Sequence, residues 1–273
     1  SARLAVLALL LAAAGQALAG ARFLGLLRAS DADDTVHARL VALGWAVGAL
    51  SLLGLAWGVG RDDPESARRW LHTGLWGFVA LVYVTVVHRM VPFFTSSALP
   101  LVRLWRPMWV LYVLVATVAL KTLGPWLTWA GLDASAWGAF EGFALLVAGF
   151  VLLWLAFVWG LAQSLAIRLL AMLHLGFVWL GLGLSIDGLG QIWAWIGGAP
   201  VTPLAALHAT TMGFLGSLML AMVTRVACGH GGRALVADRL SWSAFLLLQL
   251  ATLLRIAAAL APPAWVGGLT AAT

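Results

Sequence analysis

LHTGLWGFVALVYVTVVHRM, residues 71–90, and LHATTMGFLGSLMLAMVTRV, residues 207–226, decide the fold. Each is almost wholly apolar and about 20 residues long, enough for a helix to cross the hydrocarbon of a bilayer. Laid on one another without gaps, Leu71 meets Leu207 and His72 meets His208. Gly77-Phe78 meets Gly213-Phe214, and Arg89 meets Arg225. The offset is 136 residues at every match. Four apolar segments fall within that offset. An even number keeps the two copies in one orientation, so they read as parallel repeats.

Working outward from these two stretches, six more segments of spanning length appear. The eight are residues 3–27, 39–60, 70–88, 108–131, 137–161, 168–190, 203–227 and 240–261. The tail after Pro262 and Pro263 reads as the start of a ninth. The expected fold is all-α: a polytopic transmembrane helical bundle of about eight spans. Residues 1–136 form one four-helix repeat and residues 137–273 the other. Composition agrees. Hydrophobic residues make up 63% and charged residues 10%, against roughly 25% charged in a soluble domain. The mean hydropathy is +1.01. One cysteine, Cys228, excludes a disulfide framework.

The net charge of +6 and pI near 11.0 do not point to nucleic acid. The basic residues are scattered between apolar runs rather than gathered on one face. Counted by loop, Arg22, Arg28, Arg39, Arg89, Arg103, Arg106, Arg168, Arg225, Arg233 and Arg239 fall on one side of the membrane. Arg3, Arg61, Arg68, Arg69 and Lys121 fall on the other, and Arg255 lies inside span eight. The first, larger set is expected in the cytoplasm. The loop 61–69 carries Asp62, Asp63 and Glu65 beside its arginines.

Some local features carry their own expectations. LAVLALLLAAAGQALA, residues 4–19, followed by Gly20, also reads as a signal peptide with an A-x-A cleavage site. The apolar run continues to Leu27, which favours a span. Thr202 and Pro203 suit the N-cap and first turn of span seven. Pro92 is expected to stop span three. Gly44 with Gly48, and Gly54 with Gly58, are small residues one turn apart that let helices pack closely in lipid.

Seventeen residues separate each repeat histidine from its arginine, about 25 Å along a helix. His72 and His208 therefore lie near the outer face, Arg89 and Arg225 near the inner. His88, His174 and His230 lie toward the inner face, and His37, beside Asp31, Asp33 and Asp34, is expected in solvent. An ionisable group inside a span is costly and faces the bundle interior. One reading makes each a neutral histidine hydrogen-bonded to a neighbouring helix. Several in two layers favour haem or copper, since imidazole suits both. Such a site needs ligands from different helices. His72, His208, His174, His230 and His88 are the candidate ligands, and Arg89 and Arg225 candidate partners of haem propionates.

Below His208, Met212, Leu215, Met219 and Met222 recur at helical spacing, as do Trp76, Val79, Tyr83 and Val86 below His72. Thioethers with histidine suit Cu(I), and core packing explains the same stripe. Glu141 and Asp187 lie near the outer ends of spans five and six, placed to orient an outer histidine. Cys228, two residues before His230, is a possible thiolate ligand or an inert buried thiol.

These residues also carry a family resemblance. LHATTMGFLGSLMLAMVTRVACGHGGR, residues 207–233, resembles the C-terminal signature of the NnrS proteins through His208, Met219, Thr224, Arg225, Val226, Gly229, His230, Gly232 and Arg233. HRMVPFFTS, residues 88–96, resembles a second motif through Arg89, Pro92, Phe93, Phe94 and Thr95. LLAMLHLGFVWLGLGL, residues 169–184, resembles a third through His174, Gly176 and Trp179. Cys228, Gly231 and His88 depart from the pattern. The resemblance implies a multi-pass protein of the bacterial cytoplasmic (inner) membrane, carrying haem b and copper and linked to nitric oxide, nitrosative stress and denitrification. It also implies an electron donor as partner. The family's opening segment, like HAHEMLFGF, is absent, so the chain resembles the last two of three four-span repeats. Whether it turns over a substrate stays open, for no path rich in Glu or Asp is visible. A transporter or channel lined by Glu141, Asp187 and Arg255, and a cofactor-free membrane sensor, are the other readings.

Overall fold

The computed structural model describes residues 2–99, 105–199 and 203–261. Within these residues every regular element is helical, and eight helices are long and apolar enough to cross a membrane. They are α1 (Ala2–Arg28), α2 (Val36–Gly60), α3 (Pro64–Ala98), α4 (Met108–Trp129), α5 (Ala134–Val158), α6 (Arg168–Trp195), α7 (Leu204–His230) and α8 (Arg239–Leu260). The protein is a multi-pass helical membrane protein. Arg103, Thr202 and the tail after Pro262 lie outside the described residues.

The chain divides into two compact units. One comprises Ser1–Arg89 and Pro107–Asp133, the other Met90–Arg106 and Ala134–Thr273. In the first unit α1 packs on α2, α2 on α3 and α3 on α4. Glycine sets the closeness. A Cβ on Gly44 would meet Val82 at 3.1 Å, one on Gly48 would meet Phe78 at 2.7 Å, and one on Gly54 would overlap Trp70. A Cβ on Gly58 would meet the backbone nitrogen of Ala67 at 2.7 Å. All four glycines singled out in the sequence are thus contact points. Residues 64–69 are the first turns of α3 rather than loop: Asp63 accepts from the Ser66 N–H at 3.0 Å, and Pro64 occupies the first turn.

In the second unit α5 lies against α6, α6 against α7 and α7 against α8. The α5–α6 contact is backbone on backbone. A Cβ on Gly149 would meet the Gly181 carbonyl at 2.7 Å, and one on Gly188 would meet the Gly142 carbonyl at 2.6 Å. Polar bonds join the next helices: Trp179 donates to Gln249 Oε1 at 2.6 Å, and Gln249 donates to Ser217 Oγ at 2.9 Å.

Two helices share an irregularity. In α3 the stretch Leu75–Ala80 is π-helical, and in α7 so is Ala209–Gly216. Each ends eight residues after its histidine, His72 or His208, and each contains the Gly-Phe pair. A Cβ on Gly77 would meet Val47 of α2 at 2.7 Å; one on Gly213 would meet Trp179 of α6 at 2.5 Å. The wide turn changes the helical count, since its bonds run i to i+5. The side chains below each histidine are therefore not one α-helical face. Trp76 is buried while Val86 is 42% exposed, and Met219 is 53% exposed, so neither stripe is a continuous core face.

Gly188→Ala should force α5 and α6 apart and destabilise the fold by about 1–3 kcal/mol, as overpacking does. Gly15→Ala, whose Cβ would meet nothing within 4 Å, should be neutral or slightly stabilising. Thermal unfolding in detergent compares them. At α8, Asp238 caps the helix by accepting from the Ser241 backbone N–H at 2.8 Å. That bond, then the Ser241 side chain and Arg233, hold its carboxyl below the ordinary 3.8. A lowered folded-state pKa stabilises above the ordinary value and is lost as pH falls through the folded one. Hydrogen exchange at Ser241 should therefore lose protection selectively below about pH 4, and Asp238→Ala should abolish that dependence.

Candidate functional site

Pro92 does not stop α3. It lacks the N–H that would bond the His88 carbonyl, yet the helix continues to Ala98 because the segment beyond it is held by packing. Val91 and Thr95 are fully buried there. The Thr95 hydroxyl donates to the Val91 carbonyl at 2.7 Å, four residues back. Its single proton is then committed, so toward His174 Nε2, 2.8 Å away, the oxygen can only accept. His174 must therefore carry its proton on Nε2, leaving a lone pair on Nδ1. The His174 side chain is fully buried, and Nδ1 has no hydrogen-bond partner.

One residue before Thr95, the Phe94 ring lies beneath the Arg225 guanidinium carbon at 3.7 Å from its centroid. A cavity of about 250 Å³ opens beside this pair, lined also by Ser97, Leu170, Leu173 and Leu235. In the same unit, Trp159 stacks on Phe177 at 4.9 Å and donates to the Trp105 carbonyl at 2.9 Å. Thr95, His174 and Arg225, far apart in sequence, thus belong to one neighbourhood of the second unit.

The other candidate residues lie elsewhere. In the first unit His88 is fully buried and uses both ring nitrogens. Nε2 donates to the Pro107 carbonyl at 3.1 Å, so Nδ1 accepts from His37 Nε2 at 2.9 Å. The two rings stack at 5.1 Å. His37 is only 7% exposed, which corrects its expected solvated position. It belongs to the first turn of α2, and that turn packs on α3; the acidic residues before it disguised a buried position. Asp34 Oδ2 lies 3.9 Å from His37 Nδ1.

His72, half-buried, stands 6.3 Å from the Trp76 ring, and Arg89 is exposed. Both belong to the first unit. His208, half-buried, and His230, exposed at the end of α7, belong to the second. Buried Glu141 accepts from Trp137 at 2.8 Å, and Asp187 from Gln191 at 3.1 Å. Buried Cys228 points its thiol at the Val236 carbonyl, 3.9 Å away. Among the described residues no three His, Cys, Asp or Glu side chains gather as a metal site.

The donor chemistry present fits a metal at one atom. His174 Nδ1 is a neutral imidazole lone pair of the kind that binds haem iron or copper. The cavity beside Arg225, about 250 Å³, is smaller than the ~300–1,000 Å³ that encloses a drug-sized ligand, so it does not enclose a whole porphyrin. Thr95→Val should leave the His174 N–H unsatisfied and cost about 1–3 kcal/mol. Thr95→Ser should restore most of it. Unfolding temperatures of the three proteins measure the difference.

No curated protein and no solved structure matches the chain. A protein-family model does: that described as NnrS protein aligns with residues 1–273, well beyond the motifs that bear on the site. With its eight spans and this whole-length match, the chain belongs to the NnrS family.

Proposed function

We propose that this protein acts in the bacterial response to nitric oxide as a metal-binding protein of the cytoplasmic membrane, with His174 as a ligand to haem or copper. Family membership supports the nitric oxide link. The buried, unpartnered lone pair of His174 carries the metal reading. When bound, iron or copper supplies a coordination position for NO. Thr95 acts on His174 rather than on the metal: it fixes the tautomer and ring orientation, as outer partners of ligating histidines do. His208 and His230, in the same unit, are the next candidate ligands. His72 and His88 are candidates within the first unit, where His88 would have to give up one of its two hydrogen bonds to bind a metal. The loops richer in arginine face the cytoplasm in this reading. We further infer from the paired π turns that the two halves of the chain are copies of one four-span unit.

A reduced-minus-oxidised absorption spectrum of the purified protein, with NO added afterwards and metal content measured in parallel, tests this. The expected result is a haem band that shifts with NO, or stoichiometric copper. His174→Ala should lose the centre, and Thr95→Val should weaken it about 10–100-fold. Unchanged metal content in His174→Ala would overturn the assignment.

A further inference from the structure

We propose that the cavity beside Arg225 binds the phosphate of an anionic phospholipid from the surrounding bilayer. Its position comes first. Ser97 is in the last turn of α3, Leu170 in the first turn of α6, and Leu235 in the connection after α7. The cavity therefore lies where spanning helices end and lipid headgroups begin. Its lining supplies both halves of a lipid's chemistry. Leu170 and Leu173 make an apolar wall, and among the described residues Arg225 is the one charged residue that lines it.

Arg225 is set up for an anion. Its guanidinium lies against the Phe94 ring at 3.7 Å, a contact that uses the face of the group and leaves N–H donors along its edge. Among the described residues it has no carboxylate partner: the ion pairs present are Arg69–Glu65 and the weak His37–Asp34 contact. Ser97 spends its hydroxyl proton on the Phe93 carbonyl at 2.7 Å, so Arg225 is the donor the cavity offers an anion. A phosphate diester matches this edge, with two oxygens available to a planar fork. About 250 Å³ admits a headgroup and the first methylenes, with the remaining chain in the bilayer. Basic pockets between spans at the membrane surface bind anionic headgroups in this way.

The test uses the full chain in detergent with three probes: phosphatidylglycerol, phosphatidylcholine and inorganic phosphate. Lipid retention by native mass spectrometry and the unfolding temperature are read together. Phosphatidylglycerol should be retained and should raise the unfolding temperature, while the other two should not. Arg225→Gln should weaken retention about tenfold or more, and Arg225→Lys should fall between. Ala98 also lines the cavity, so Ala98→Phe, which fills it and keeps the charge, should lose retention too; with Arg225→Lys it decides the matter if Arg225→Gln does not fold. Equal retention of phosphatidylcholine, or wild-type retention by Arg225→Gln or Ala98→Phe, would overturn the proposal. So would stabilisation by inorganic phosphate alone, which would mark a free-anion site. Loss of haem absorbance in Arg225→Gln with lipid retention unchanged would overturn it too, and make Arg225 a haem carboxylate partner.

Discussion

A helix in lipid must satisfy its polar groups itself and gains little by bringing one apolar side chain against another, because the solvent is equally apolar. The rest of the structure follows from that constraint. Helices meet where glycine lets backbones touch, as Gly149 does at the Gly181 carbonyl and Gly188 at the Gly142 carbonyl. Hydroxyls turn inward on their own helices: Thr73, Thr85, Thr95, Thr117, Thr224 and Thr252 each donate to the carbonyl four residues back. A threonine spent in this way can still accept. Trp126 donates to Thr73, and His174 donates to Thr95. The internal bond thus sets the direction of the bond between helices.

The π turns obey the same constraint. A wide turn inside an α-helix leaves a backbone group displaced from its ordinary partner, which lipid would not satisfy. Both wide turns occur where the chain also carries glycine, and the neighbouring helix fills the space at Gly77 and Gly213. Val47 does so in one unit and Trp179 in the other. The recurrence of turn, glycine and preceding histidine at one spacing is harder to reach by chance than four shared letters in a leucine-rich sequence.

Much of this was legible in the sequence. Spans show as apolar runs, but the helix start at Asp63-Pro64 lies six residues before its apolar run, inside a charged stretch that reads as loop. The α2 glycines stood out because Gly44 and Gly48 are one turn apart; the α5–α6 glycines did not, because Gly142 and Gly149 are seven residues apart and their partners lie on another helix. Pro92 misled because a proline's effect depends on what holds the chain beyond it, and Thr95 and Val91 are held from all sides. His37 misled for a related reason: three aspartates before it describe the loop, not the first helical turn. The methionine stripe does not form one core face because the π turn at Ala209–Gly216 breaks the α-helical spacing.

The two buried histidine arrangements differ in how fully each ring is hydrogen-bonded. His88 sits between a carbonyl and another imidazole, and its ring nitrogens are both used. Burial there is compensated, and bringing it to a metal would first cost a hydrogen bond. His174 is equally buried but bonded on one side only. An acceptor left bare in an apolar interior costs on the order of 1–3 kcal/mol, and a leucine in its place would avoid that cost. The chain places a histidine there and a threonine that orients it, although the histidine's Nδ1 gains no hydrogen bond in return. A ligand on Nδ1 is the occupant that would make both residues favourable.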